Sequence, residues 1–325
     1  MKPYEPTAKT IKYVFIFAIF IFLCCKKKTV QDNRLPNDDF SQNSIEAISL
    51  LGDTLFTPKA LPSKTLDHYK KTKARYLKNP KNVENLIWYG RRAAYLDHFQ
   101  KAIGIYSEGI RQFPKEPRFY RHRGHRYIST RQYGNAIEDF EKAVALVEGK
   151  PDEIEPDGIP NARNIPISSL QGNIWYHLGL AHYLKGDLEK SLLAFRNRKN
   201  TNTYDDNWVS GGHWLYMILK RMGKDKEAEE AIAMVNTDMD IIENTNYHKM
   251  CLFYKGILTE ENIRPKSDGS SSDDVFLYGL GNWYLYQKKD TLSAKRLFKT
   301  LLDKGNRYSF AYLAAESDWK HHFRE

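Results

Sequence analysis

Apolar and small residues recur at helical spacing along most of the chain, most regularly over residues 117–146. One stripe in this stretch runs from Tyr120 to Tyr127, and a second runs from Ala136 to Ala143. Positions three and four residues apart lie on one face of a helix, so the pattern predicts two helices folded back on each other. Because one such pair cannot bury its own apolar face, we expect further pairs stacked on either side of it.

The same two-helix pattern starts again at several places. The predicted starts are Asn82 or Val83, Pro117, Gly172, Val209 and Val275, with a single first helix over 243–258. Helices over 44–55 and 63–77 are predicted before the first pair, and one over 308–319 is predicted after the last. A stack of helix pairs needs such terminal elements because its end faces would otherwise be apolar and exposed.

Breaks in this pattern divide the chain into segments. The predicted organisation is a signal segment over 1–25, a tether with a short helix over 26–62, a cap with repeats 1 and 2 over 63–147, an insert over 148–170, repeats 3 to 5 over 171–262, a loop over 263–274, and a last repeat with a closing helix over 275–325. The insert holds four prolines and therefore cannot form a regular helix. Its acidic residues outnumber its basic ones by four before Arg163, while its isoleucines predict packing against the protein.

The first 25 residues have the pattern of an export signal. Three lysines precede an apolar run over 13–23, and Cys24 and Cys25 follow it. The run is shorter than the roughly 20 apolar residues of a spanning helix, and it resembles a bacterial lipoprotein signal, in which a cysteine is lipidated after cleavage. Cys25 is the better candidate because Cys24 would follow the bulky Leu23; an anchor that is never cleaved is the alternative. The resemblance implies a lipid-anchored protein of the bacterial cell envelope that faces the periplasm.

The paired helices resemble a known repeat, the tetratricopeptide repeat (TPR), which is a helix–turn–helix unit of about 34 residues. The most similar segments are PRFYRHRGHRYISTRQYGNAIEDFEKAVAL and WYHLGLAHYLKGDLEKSLLAF, and Val83 and Pro117 lie 34 residues apart. The resemblance implies an all-α TPR solenoid of about five to six helix pairs with a long acidic, proline-rich insert. Some TPR domains grip a terminal carboxylate with Lys and Asn, but this chain has Ile87, Arg91 and His122 at those places. Binding of a chaperone tail is therefore not expected.

In the TPR family the first helix of each pair lines the concave face. The residues of this chain at lining positions, which we predict to bind a partner, are Trp88, Arg91, Arg118, Arg121, His122, His125, Tyr176, His177, His213 and Trp214. Arg118, Arg121 and His125 share one helical face, where like charges repel. The anion that offsets this repulsion is either an acidic partner segment or the chain's own insert over 152–157. A solvated basic face without a partner is the third interpretation.

Charge narrows the class of partner. The 325 residues carry a formal net charge of +10, which favours an acidic protein segment or an anionic envelope polymer. Nucleic acid is not expected, because the predicted export signal directs the chain away from it. The predicted function is a membrane-tethered TPR adaptor that binds an acidic protein segment in its groove. A scaffold that binds anionic lipid or cell-wall polymer through its net charge is a further alternative.

Motifs of catalysis are absent from the sequence. It contains no G-x-S-x-G, HExxH, phosphate-binding loop or CxxC pair, so the prediction is a protein that is not an enzyme and has no cofactor. Histidines of neighbouring repeats would lie about 10 Å apart, too far for one metal ion with bonds of about 2 Å, so no metal site is predicted. The alternative is an enzyme or small-ligand-binding protein with a His, Arg and aromatic site under the insert over 148–170.

Overall fold

A computed structural model describes residues 44–58, 60–198, 204–263 and 273–323, which form a stack of paired helices. The helices are α1 (Ser63–Lys78), α2 (Val83–Ala94), α3 (Phe99–Gln112), α4 (Pro117–Ser129), α5 (Tyr133–Val147), α6 (Leu170–Lys185), α7 (Leu188–Arg198), α8 (Asp205–Arg221), α9 (Asp225–Ala231), α10 (Thr245–Tyr254), α11 (Glu260–Ile263), α12 (Asp273–Trp283), α13 (Thr291–Lys304) and α14 (Phe310–His322). A π-helical turn over Tyr284–Lys288 extends α12. The prediction of an all-α solenoid of TPR-type pairs is confirmed, and the first helices begin at or close to the predicted starts.

Several pairs close where a glycine of the first helix faces an aromatic ring of the second. The facing residues are Gly90 and Tyr106, Gly124 and Phe140, Gly179 and Phe195, and Gly281 and Phe298. A Cβ atom added to Gly90 would lie 2.3 Å from the Tyr106 ring. Because the backbone approaches the ring so closely, a larger residue there would force the two helices apart.

The segment before α1 is a hairpin, so the prediction of a helix over 44–55 is wrong. β1 (Ile45–Ile48) pairs antiparallel with β2 (Thr54–Phe56) across a turn in which Gly52 has a φ of 102°. Glycine adopts this left-handed backbone without strain, and a Gly-Asp dipeptide between apolar runs favours a turn. The turn therefore overrides the helical spacing of the apolar residues.

The hairpin is fixed to the first repeat at the start of α3. Glu46 is 2% exposed, and its carboxylate accepts a hydrogen bond from the backbone N–H of Gln100 at 2.8 Å. A carboxylate at this position satisfies an N–H group that has no partner within the helix. Burial raises the pKa of Glu46 to about 7.

The insert packs against helices that precede and follow it in the chain, but not through the isoleucines from which packing is predicted. Ile154, Ile159 and Ile165 are 51%, 73% and 37% exposed, and polar contacts to the backbone of the insert fix it instead. An isolated antiparallel bridge joins its two ends. Arg92 of α2 donates a hydrogen bond to the Gly158 carbonyl at 3.1 Å, and the Asn207 side chain of α8 donates to the Ile167 carbonyl at 3.0 Å. The insert therefore spans from the first repeat to the fourth.

The closing helix α14 is more deeply buried than a terminal cap. Residues 311–318 are all buried, including three polar ones. The helix packs on α12 and α13 and also on α6, where Ser317 Oγ donates to the Leu184 carbonyl at 2.9 Å. It therefore covers the last pair, as predicted, and also lies against the middle of the stack.

Several predicted segments lie outside the described residues. These are the signal segment over 1–25, most of the tether and most of the loop over 263–274, and they stay predictions. Within the described ranges, no helix is both long and apolar enough to cross a membrane.

Candidate functional site

The first helices α2, α4, α6 and α8 carry all the predicted partner-binding residues, and we call the surface that these residues share the inner face. Its members contact one another from pair to pair. The ring centres of His125 and His177 lie 4.3 Å apart, and Trp214 Nε1 donates to the Tyr176 hydroxyl at 2.9 Å. The structure therefore brings residues of successive repeats together, although they differ in how far they are buried.

Arg118 lies at the edge of the inner face and is held by acidic residues outside the insert. Its guanidinium pairs with Glu116 at 2.8 Å and also with Glu84 of α2. Glu116 caps α4 as well, because its carboxylate accepts from the backbone N–H of Arg118 at 3.2 Å. The charge of Arg118 is therefore offset locally.

Trp88 and Arg91 form the N-terminal end of the inner face. The guanidinium carbon of Arg91 lies 4.4 Å from the centre of the Trp88 ring, which is a cation–π contact. Arg91 Nη2 also donates to the Tyr95 hydroxyl at 3.2 Å. Both contacts hold the guanidinium in place without neutralising it.

Arg121 and His122 face a carboxylate of the insert. Arg121 Nε lies 3.0 Å from Glu155 Oε2, and His122 Nε2 lies 3.6 Å from Oε1. Glu155 is only 7% exposed. The Arg121 Nε–H is not aligned for a hydrogen bond, so the contact is an ion pair. Of the three interpretations of the basic face, the structure shows the second, in which the insert folds onto the face, with Glu155 paired to Arg121.

Two adjoining cavities flank the Arg121–Glu155 pair. The outer cavity has a volume of about 280 Å³ and is lined by Arg91, Tyr95, Arg121, Glu155, Pro156, Asp157, Gly158, Ile159, Ser168 and Asn173. The inner chamber has a volume of about 130 Å³ and is lined by Arg91, Ala94, Tyr95, Tyr106, Arg121, His122, His125, Arg126 and Glu155. Exposed residues of the insert, such as Ile159, form the outer rim. Sequence reasoning missed Tyr95 and Arg126 because they lie outside the family's lining positions.

Burial and neighbouring arginines control protonation in the inner chamber. Burial, reinforced by Arg121, lowers the pKa of His122 well below 6.5. Burial, reinforced by Arg126, does the same for His125. Both rings are therefore neutral at pH 7. Burial also lowers the pKa of Arg126 to about 10, which leaves this guanidinium charged at pH 7.

The middle of the inner face is covered by α14. Phe310 packs on His125 and His177, with ring centres 5.6 Å and 5.5 Å apart. Tyr176 also contacts the Phe310 ring at 6.1 Å. At these positions the predicted site residues bind the chain's own last helix.

Trp214 and His213 lie deeper still. Each is 1% exposed. The His213 ring packs on Tyr247 and Tyr254, and burial lowers its pKa to about 3. These two residues belong to the core in this structure, and a role in partner binding stays a prediction for them.

Two buried ion pairs hold α14 against the ends of earlier helices. Arg131, which follows α4, pairs with Glu316 at 3.0 Å, and neither side chain is more than 2% exposed. Arg221 at the end of α8 pairs with Asp318, which also accepts from the Tyr278 hydroxyl at 2.9 Å. The sequence signal for these pairs is the presence of acidic residues within an otherwise apolar helix.

Metal binding finds no support in the described ranges, where no group of three or more His, Cys, Asp or Glu side chains is arranged to hold an ion. The three histidines His125, His177 and His213 do not form a common pocket. The first two contact each other, whereas His213 packs on tyrosines of α10.

The similarity of this chain to known proteins lies in its fold. No family model matches the sequence, and no curated protein matches it. Among solved structures, the chain is similar to YrrB, described as a TPR protein with an unusual peptide-binding site, with 15% identity, a TM-score of 0.41, and coverage of 76% of this chain and 98% of that one. A TPR protein from Parabacteroides merdae has 14% identity and a TM-score of 0.46, with 78% and 92% covered. A chain of the APC/C hetero-tetramer Cut9–Hcn1 has 14% identity and a TM-score of 0.43, and the match covers 74% of this chain and 40% of that one.

Similarities this distant identify no partner or activity. The fold is shown by the chain itself, through helix pairs that begin at Val83 and again 34 residues later at Pro117 and through the recurring glycine–aromatic contacts. By these features the chain has the fold of a TPR-type solenoid.

Proposed function

We propose that the chain is a membrane-tethered TPR-type scaffold that binds an acidic protein segment at the N-terminal end of its inner face. The observation that carries this proposal is the pair of cavities beneath the insert, in which Arg91 and Arg121 are exposed to the same space. Arginine forms two-pronged contacts with carboxylates and is common among binding hot spots. Trp88 stands beside Arg91 as an aromatic anchor.

Glu155 indicates the chemistry that this end of the inner face accepts. Its carboxylate reaches Arg121 as an ion pair without an aligned Nε–H bond. A carboxylate of a partner would offer the same charge and could take better geometry. The insert then acts as a side wall of the site.

The binding test compares matched variants of the full chain in detergent. A fluorescently labelled oligoglutamate peptide is titrated, and fluorescence anisotropy reports binding. Replacement of Arg91 and Arg121 by Gln should weaken binding by at least about tenfold, because the partner loses both guanidinium contacts.

The control variant replaces two exposed arginines, Arg196 of α7 and Arg296 of α13, by Gln, which gives the same net charge. This control should bind as the wild type does. Equal loss in both variants would mean that net charge alone attracts the peptide, as expected for a scaffold that binds anionic polymers, and would remove the site.

The membrane tether is part of the proposal. It is supported by the apolar run over 13–23 and the adjacent Cys25. In bacteria, lipidation at Cys25 would place the folded part in the envelope, facing the periplasm. Replacement of Cys25 by Ser should release the chain from the membrane fraction, whereas retention of this variant would favour an uncleaved anchor.

A second candidate, a protein that binds or transforms a small ligand under the insert, is favoured by the small volume of the inner chamber, about 130 Å³. The two candidates predict different ligands for the same residues. Tight binding of a small anion without affinity for oligoglutamate would favour the second candidate.

A further inference from the structure

The inner chamber has more positive than negative groups in its wall. Among its lining residues, Arg91, Arg121 and Arg126 are cationic, and Glu155 supplies the negative charge. Bringing like charges together at a partly buried site costs free energy unless a counter-charge is present. The wall therefore suits a ligand with about two negative charges.

Neighbouring acidic groups lie outside this wall. Asp157 lines the outer cavity and not the chamber. Asp97 interacts electrostatically with Arg126 but is not among the lining residues. The imbalance also distinguishes the chamber from two larger cavities of about 380 Å³ each, beside α13 and at the start of the insert, whose acidic and basic lining residues are equal in number.

The guanidinium groups of the chamber keep hydrogen-bond donors for a ligand. A guanidinium has five N–H donors. Arg91 uses one on a tyrosine hydroxyl, and Arg121 uses one on a histidine ring. Arg126 lies over the Phe99 ring, with its guanidinium carbon 5.3 Å from the ring centre, which takes none of its N–H groups.

The size of the chamber suits a compact anion. Its volume is about 130 Å³, less than half the volume of the outer cavity, about 280 Å³. A phosphate monoester carries a charge of about −1.5 to −2 near pH 7 and presents three acceptor oxygens, whereas a carboxylate presents two oxygens and one charge. The monoester therefore matches both the charge and the number of donors.

We propose that the inner chamber is a binding site for a phosphate monoester group, held by Arg91, Arg121 and Arg126. The proposal deepens the function proposed above, because the phosphate is the anionic group that the partner presents to the scaffold. The group is either carried by an acidic peptide or part of a small molecule.

Calorimetric titration of the full chain in detergent with inorganic phosphate tests the site itself. We expect saturable binding, competition by sulfate and none by acetate. Replacement of Arg126 by Gln should weaken binding by at least about tenfold, and replacement of Glu155 by Gln should tighten it by about tenfold, because a like charge leaves the wall. The control Arg118→Gln, at the edge, should change the affinity little.

The Glu155→Gln variant keeps the test decisive if Arg126→Gln fails to fold, which circular dichroism would reveal. Absence of saturable phosphate binding in both the wild type and Glu155→Gln would overturn the proposal, as would equal weakening by Arg118→Gln and Arg126→Gln.

A second titration distinguishes a phosphate carried by a peptide from one carried by a small molecule. Together with the oligoglutamate titration, it also distinguishes failure of the phosphate site from failure of the proposed function. An acidic peptide with one phosphoserine is compared with the same peptide carrying Glu at that position. Preference for the phosphopeptide over inorganic phosphate supports a group carried by a protein segment, and equal affinity supports a small molecule. Phosphate binding without affinity for oligoglutamate leaves the chamber assigned and removes only the acidic-segment function, whereas oligoglutamate binding without phosphate binding does the reverse.

Discussion

Buried arginine charge is balanced by carboxylates at one end of the inner face and exceeds them at the other. Toward α14, each of the two buried arginines has its own carboxylate, Arg131 with Glu316 and Arg221 with Asp318. Beneath the insert, three arginines line a chamber with one carboxylate, Glu155. The paired charges hold α14 in place, whereas the excess of positive charge beneath the insert is the feature on which the proposed binding site rests.

The difference explains why a TPR-type inner face need not be open along its whole length. The closing helix fills the middle of the face with Phe310 and seals it with its ion pairs. In the proposed function, a partner then binds at the first two repeats, where the insert leaves the outer cavity accessible from its exposed rim.

The largest expected effect comes from breaking a pair at the α14 end. Replacement of Glu316 by Ala leaves Arg131 buried without its carboxylate, which should lower the free energy of unfolding by about 3–5 kcal/mol. Urea denaturation followed by circular dichroism measures this change. The matched control is Glu227→Ala, which removes the carboxylate of the surface pair with Arg196 and should have little effect. A loss no larger than that of the control would mean that α14 is not locked in place.

A smaller effect is expected at the chamber end, as a dependence of stability on pH. The pKa of His125 is lower in the folded chain than its ordinary value of 6.5, so the unfolded chain binds the proton more readily. The resulting stability is complete above pH 6.5 and is lost as the pH falls below it, by up to about 1.4 kcal/mol per pH unit for one histidine.

Replacement of His125 by Gln should therefore reduce the loss of stability between pH 6.5 and 5, measured by urea denaturation at each pH. His68→Gln, in α1 and away from the chamber, is the control. If both variants kept the full acid sensitivity of the wild type, His125 would not be its source.

The paired helices were predictable because their cause is local. Apolar spacing and glycines such as Gly124 are present in the sequence of each repeat. The hairpin was missed because Ile45–Ile48 also fits a helical spacing, and the Gly52-Asp53 turn was the signal that could have identified it.

The site was only partly predictable because it depends on contacts between residues that are far apart in the chain. Arg91, Arg121 and His122 follow from the repeat positions, and the insert was one of the anions considered for them. No periodic pattern specifies that Glu155 rather than its acidic neighbours reaches Arg121. Nor does the sequence indicate that Phe310 packs on His177, because these residues lie 133 positions apart in the chain and no local pattern links them.

Hydrogen–deuterium exchange of the full chain with and without the oligoglutamate peptide tests most directly which end of the inner face receives a partner. We expect slower exchange confined to α2, α4 and the insert, with α14 unchanged. Faster exchange in Phe310–His322 on addition of the peptide would show that the partner displaces the closing helix, and it would contradict the division of the inner face into a sealed end and a receiving end.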